Sequence, residues 1–126
     1  MQKLKGFYKI KVGIPSLLNL FGERPERMTA DDLMRMMKAG KRLTILDVRT
    51  TVEHINGRIS GSILASRCNL EYMEAHSFEG SIILYCKAGV RSYRESKRLA
   101  ARGIRVVDLV GGFDAWEDAG GVIECG

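Results

Sequence analysis

A cysteine that leaves an apolar run and enters a glycine-containing turn at a helix start sits where main-chain amides and the helix dipole can hold it as a thiolate. Cys86, in SIILYCKAGVRS, is such a residue. Lys87 and Arg91 add two cations in the same turn, so Cys86 is expected to ionise below the free-thiol value of about 8.5. Gly89 supplies backbone that accepts positive φ and lets a ligand approach closely. The chemistry implied is attack by an ionised sulfur. Cys86 is the candidate nucleophile, and the amides of Lys87, Ala88, Gly89, Val90, Arg91 and Ser92 are the candidate cradle for an anion. This reading requires the thiol to be reachable from solvent. An inert core cysteine is the competing interpretation, since free cysteine is among the most buried residue types. Nothing about inert packing calls for glycine, arginine and a helix start directly after the sulfur.

The elements that must position this turn are legible in the apolar patterning. LTILDV (43–48), SILAS (62–66), SIILYC (81–86) and RVVDLV (105–110) read as strands, and their continuous apolar character points to burial on both faces. Thr29 is a suitable N-cap, Asp31 and Asp32 suit a first turn, and Gly40 suits a stop. Leu33, Met36 and Met37 then fall on one helical face as core filling. SYRESKRLAARG reads as a helix ending at Gly103. Alternating strands and helices predict an α/β sandwich with a mostly parallel sheet. Ligands of such sheets gather beyond the carboxyl ends of the strands, after Val48, Ser66, Cys86 and Val110.

Residues 1–27 are expected to form a basic extension and 28–126 the domain. In the extension, FYKIKVGI alternates apolar and basic residues, which suits an edge strand or docking arm, or more simply a solvated appendage. The 126 residues match one domain, and a net charge of +5 favours anionic ligands. The lysines and arginines are scattered and only 7% of residues are aromatic, so no nucleic-acid partner is expected. Cys68, Cys86 and Cys125 are odd in number and lack zinc-site spacing, which leaves free thiols, no metal, no cofactor and a cytoplasmic setting as the expectation. The first residues make a poor signal peptide, and no run is long enough to span a bilayer.

The stretch C-x-x-G-x-R-S after an apolar strand closely resembles the active-site loop of the rhodanese family. LDVRTTVEHINGRISGS agrees through Asp47, Arg49, Glu53, Gly57, Ile59 and Gly61, with Arg58 and Ser60 where the family has histidine and proline. DLVGGFDAW, through Gly111, Gly112 and Trp116, is similar to the family's closing signature, and TADDLMRMMKAG to its opening helix. The resemblance, from about Met28 to Gly121, implies a three-layer sandwich with a central sheet flanked by helices. It implies that Cys86 takes the outer sulfur of thiosulfate or another persulfide donor and passes it to a thiol, cyanide or protein acceptor.

In that scheme Asp47 and Arg49 are structural supports of the loop. Asp47 fastens it by hydrogen bonds and Arg49 pairs with Glu53, while Glu95 is placed to pair with Arg91, leaving Lys87 as the main attractant for a small anionic donor. Cys68 and Cys125 are left out of the site. Two other functions compete. A partner-binding or sulfur-relay module of the same family would show little activity on free thiosulfate. A cysteine-dependent phosphatase or arsenate reductase would need a longer loop than Lys87 to Val90 between Cys86 and Arg91. Oligomeric state is not legible.

Overall fold

The computed structural model describes residues 24–65 and 80–126. Its strands are β1 (Glu26–Met28), β2 (Leu43–Asp47), β3 (Arg58–Ile59), β4 (Ile63–Leu64), β5 (Ser81–Tyr85), β6 (Val107–Leu109) and β7 (Ile123–Glu124). Between them run α1 (Ala30–Lys38), α2 (Thr51–Asn56), α3 (Val90–Ala101) and α4 (Gly112–Asp118). Five strands form one parallel sheet in the order β1-β6-β5-β2-β4, and β3 pairs with β7 in a separate antiparallel ribbon.

The apolar runs are continuous because both sheet faces are covered. Successive strand side chains alternate in direction. Ile83 and Tyr85 therefore join Ile45, Leu109, Leu33 and Trp116 beneath α1 and α4, while Ile82 and Leu84 join Leu46, Val106 and Leu99 beneath α3. Two cores separated by the sheet make the expected three-layer sandwich. Thr29 caps α1 by accepting from the Asp32 N–H at 3.1 Å, and Asp32 returns the bond to the Thr29 N–H, a reciprocal box that fixes where the helix starts. Leu33 packs inward with Met34 and Met37, so Met37 joins the core as expected while Met34 packs there in place of Met36.

Strand ends fall short of the apolar runs. β5 stops at Tyr85, which leaves Cys86 as the first residue past the sheet, and β4 covers only Ile63–Leu64 of the expected 62–66. The helix expected at SYRESKRLAARG begins earlier, at Val90, and ends at Ala101. The expected boundary at Met28 lies inside β1, which pairs with β6 as the sheet edge. FYKIKVGI and Cys68 lie outside the described residues. No helix among the described residues is long and apolar enough to cross a membrane.

Candidate active site

The carboxyl ends of β2, β5 and β6 converge on one edge of the sheet, where Asp47, Cys86 and Gly111–Gly112 follow one another across the fold. Gly89 adopts φ 103° as the residue before α3, which folds the chain back over the Cys86 side chain. The Gly89 N–H donates to Cys86 Sγ at 3.1 Å and the Ser92 N–H at 3.4 Å. Burial is the strongest single influence on the thiol and pushes its pKa up. Hydrogen bonds from the Ser92 hydroxyl and from the Ser92, Gly89 and Arg91 amides outweigh it, holding the thiol below its ordinary value.

The loop's carbonyls face the other way because α4 collects them. The Phe113 N–H donates to the Cys86 carbonyl at 2.8 Å and the Asp114 N–H to the Lys87 carbonyl at 3.0 Å. A trans peptide sets its N–H opposite its carbonyl. The Lys87 and Ala88 amides are thereby directed away from α4. This close approach depends on Gly112, whose φ is 59° and where an added Cβ would lie 2.3 Å from the Cys86 carbonyl oxygen. Gly112→Ala is therefore expected to lower stability by about 2 kcal/mol in urea titration. It should also raise the Cys86 midpoint in thiolate absorbance, because the backbone contact that orients the loop is forced apart. Gly112 was expected only as part of a closing signature; the available signal for its role was a glycine pair directly after an apolar strand run.

The cations of the loop are partnered differently from expectation. Arg91 forms a two-pronged pair with Glu53, at 2.9 and 3.0 Å, rather than with Glu95, which pairs with Arg98. The reason is positional. Glu53 occupies the third residue of α2, where it accepts from the Thr50 N–H and faces the start of α3, so a distant partner displaces the local one. The Arg91 guanidinium in turn holds the Glu53 carboxyl down at about 2. Lys87, expected as the main anion attractant, is exposed and bound to Asp114 at 2.8 Å.

Arg49 does not pair with Glu53 either. Its guanidinium grips Asp47 at 2.9 and 2.8 Å and lies 4.6 Å from the centre of the Phe113 ring. Asp47 is completely buried and also accepts from the Tyr85 hydroxyl at 3.0 Å, with His54 Nδ1 at 2.8 Å. Asp47 and Arg49 thus brace Tyr85, the residue before Cys86.

Cys86 has no solvent-accessible surface, contrary to the requirement that the thiol be reachable. The same folding-back that aims amides at the sulfur encloses it. Lys87, Ala88 and Val90 around it are exposed. Cys125 is exposed, with its Sγ 3.7 Å from the Asn56 carbonyl. Among the described residues, no group of three histidine, cysteine or acidic side chains is placed to hold a metal ion.

Comparison with known proteins agrees with this architecture. The profile of the family described as rhodanese-like domain matches residues 29–119. A thiosulfate sulfurtransferase, GlpE, of Coxiella burnetii is 30% identical over 77 residues, covering 60% of this chain and 72% of that protein. A rhodanese-related protein from Thermoplasma volcanium superposes with a TM-score of 0.69 at 29% identity, covering 80% of this chain and 99% of that one. A Rhodopseudomonas palustris structure, described as a protein of unknown function and possible tyrosine phosphatase, superposes with a TM-score of 0.71 at 27% identity. That match covers 94% of this chain and all of the other.

Proposed function

The chain belongs to the rhodanese-like domain family, and on that premise we propose that it is a sulfurtransferase in which Cys86 carries a sulfane sulfur as a persulfide. The observation that carries the reading is the pair of amides, Gly89 and Ser92, donating to the Cys86 sulfur. Such donors stabilise the thiolate and would equally stabilise the persulfide anion. The donor is thiosulfate or another persulfide, and the acceptor is cyanide, a thiol or a protein.

In the first step the Cys86 thiolate attacks the outer sulfur of thiosulfate. A Cys86 S–S bond forms, the sulfur–sulfur bond of thiosulfate breaks, and the electron pair leaves with sulfite. In the second step cyanide or a thiolate attacks the terminal sulfur and Cys86 departs as thiolate, a two-stage exchange with ping-pong kinetics. No general base is needed once the thiol has ionised. The Lys87 and Ala88 amides, turned from α4, are the groups available to the outer sulfur. Because Cys86 is enclosed, the donor reaches it by displacing rim side chains along the exposed Lys87–Ala88 edge.

The phosphatase reading fits the site less well. Lys87 to Val90 leave a short loop between Cys86 and Arg91, and the Arg91 guanidinium is already held by both Glu53 oxygens. Incubation with thiosulfate followed by intact-mass measurement tests the proposal. A gain of about one sulfur atom is expected, reversed by cyanide. An unchanged mass at saturating thiosulfate and at persulfide donors would sink it.

A further inference from the structure

The rim around the enclosed sulfur is built from apolar side chains and from cations that already have partners. Val90 follows Gly89 in the loop and is 64% exposed. Val110, 37% exposed, precedes Gly111, and a Cβ added to Gly89 would lie 3.3 Å from the Gly111 nitrogen. Val52, 67% exposed, precedes Glu53, whose carboxylate holds Arg91, the residue after Val90. The packing of Gly89 on Gly111 and the Glu53–Arg91 pair thus bring three solvent-facing valines to the loop, beside the exposed Ala88. Apolar side chains gathered at a reactive centre favour a ligand with apolar surface of its own.

Among the described residues, both cations of the loop are matched by carboxylates. Arg91 has both Glu53 oxygens, and Lys87 has Asp114 at 2.8 Å. Glu117 stands three residues beyond Asp114 on α4, on the same helical face. The hydrogen bond and charge of Asp114, with Glu117 and Glu53 behind it, hold the exposed Lys87 ammonium above its ordinary value. The next cation of α3, Arg94, is a turn further from the loop. The excess positive charge of the chain lies elsewhere: of 20 lysines and arginines and 15 acidic residues, residues 1–27 hold six and two, which leaves 14 against 13 for residues 28–126. The sulfite end of a thiosulfate dianion must therefore shed water among valines, beside cations that are already occupied.

Enclosure acts in the same direction. Cys86 has no accessible surface, so any donor must first open the rim. A small ion has few contacts to set against that cost, whereas a protein segment laid across the valines has many. We propose that the preferred sulfur donor of this site is a cysteine persulfide in a protein segment, with apolar residues beside the cysteine and a lysine or arginine to face Asp114 and Glu117. The purpose of this docking surface rests on the sulfurtransferase reading of Cys86, and the two are tested apart. In the transfer, the Cys86 thiolate attacks the outer sulfur of the donor segment's persulfide. A Cys86 S–S bond forms, the donor's S–S bond breaks, and its electron pair stays on the donor cysteine, which leaves as a thiolate. The outer sulfur brings its own proton or charge with it. Thiosulfate serves the same step at higher concentration.

Short synthetic peptides, each with one cysteine persulfide, test this on the full wild-type chain. The first has leucines beside the cysteine and a lysine near it, the second has glutamate for the lysine, and the third has serines for the leucines. Sulfur loading is followed by intact mass at subsaturating donor. The leucine–lysine peptide is expected to load Cys86 about tenfold faster than either of the others, and thiosulfate to be slower still. Its lead over the glutamate peptide should shrink as salt rises, and fall below about twofold when Asp114→Asn and Glu117→Gln are combined. Val52→Ser should narrow its lead over the serine peptide. Loading by the glutamate or the serine peptide at the rate of the leucine–lysine peptide overturns the proposal on the wild-type chain alone, and so does faster loading by thiosulfate.

The same peptides with serine in place of the persulfide, carrying a fluorescent label, report docking without chemistry. A wild-type chain that takes sulfur from no donor, yet binds the labelled leucine–lysine peptide about tenfold more tightly than the other two, removes the sulfurtransferase reading and leaves the docking surface. Sulfur uptake at equal rates from every donor does the reverse.

Discussion

Cys86→Ser lowers the transfer of sulfur from thiosulfate to cyanide by roughly a thousandfold or more, with no mass gain after thiosulfate, while the chain still folds. A serine hydroxyl does not ionise in the working range and cannot form the sulfur–sulfur bond on which the first step depends. The surroundings tolerate the exchange. Serine is close to cysteine in volume, and the Gly89 and Ser92 amides that donate to Sγ can donate to a hydroxyl oxygen instead. The stability change is therefore small, about 1 kcal/mol by urea titration. Turnover retained in this variant would remove Cys86 from the mechanism.

The enclosure of Cys86 gives that prediction a companion in pH. The thiol lies below its ordinary value because amide and hydroxyl donors overcome its burial, so sulfur uptake depends on the thiolate fraction and declines as the pH falls through the lowered midpoint. A free cysteine at a strand end would lose its thiolate earlier on the way down. The donors that lower the pKa are thus the same groups that keep the sulfur reactive at a lower pH than an ordinary cysteine would be.

Most of the scaffold was legible because its signals are local. Thr29 and Asp32 lie three residues apart, the strand runs are contiguous, and the turn after Cys86 carries its own glycine. What escaped was pairing across the fold. Arg49 and Glu53, and Arg91 and Glu95, have spacings that invite local pairs, yet Glu53 reaches Arg91 and Arg49 closes on Asp47. Ion pairs are decided by which strand and helix ends the topology gathers at one edge, and the i,i+4 rule contributes only a few tenths of a kcal/mol against that. The role of Gly112 was hidden for the same reason: it backs onto the Cys86 carbonyl, a contact that exists only once β6 lies beside β5.

Asp47→Ala should be the most damaging single change to stability, lowering the unfolding free energy by about 3–5 kcal/mol, a large part of the 5–15 kcal/mol typical of a domain. Asp47 takes both prongs of the Arg49 guanidinium, the Arg49 N–H and the Tyr85 hydroxyl, and it contacts His54 Nδ1, all beneath β2 and β5. Its removal leaves the Arg49 cation, itself buried, with the Gly57 carbonyl at 2.5 Å and two aromatic rings for company. Burial pushes the Asp47 carboxyl up, but the Arg49 and His54 bonds prevail and hold it below its ordinary value. A carboxyl depressed in the folded state stabilises above its unfolded pKa, and the contribution fades as pH falls through the folded one. The gap between wild-type and Asp47→Ala stability is therefore expected to be full near neutrality and to close in strong acid, below the usual aspartate range. A gap that stays constant into strong acid, well below that range, would mean that the loss comes from packing, and that the buried ion pair does not brace the strand from which Cys86 emerges.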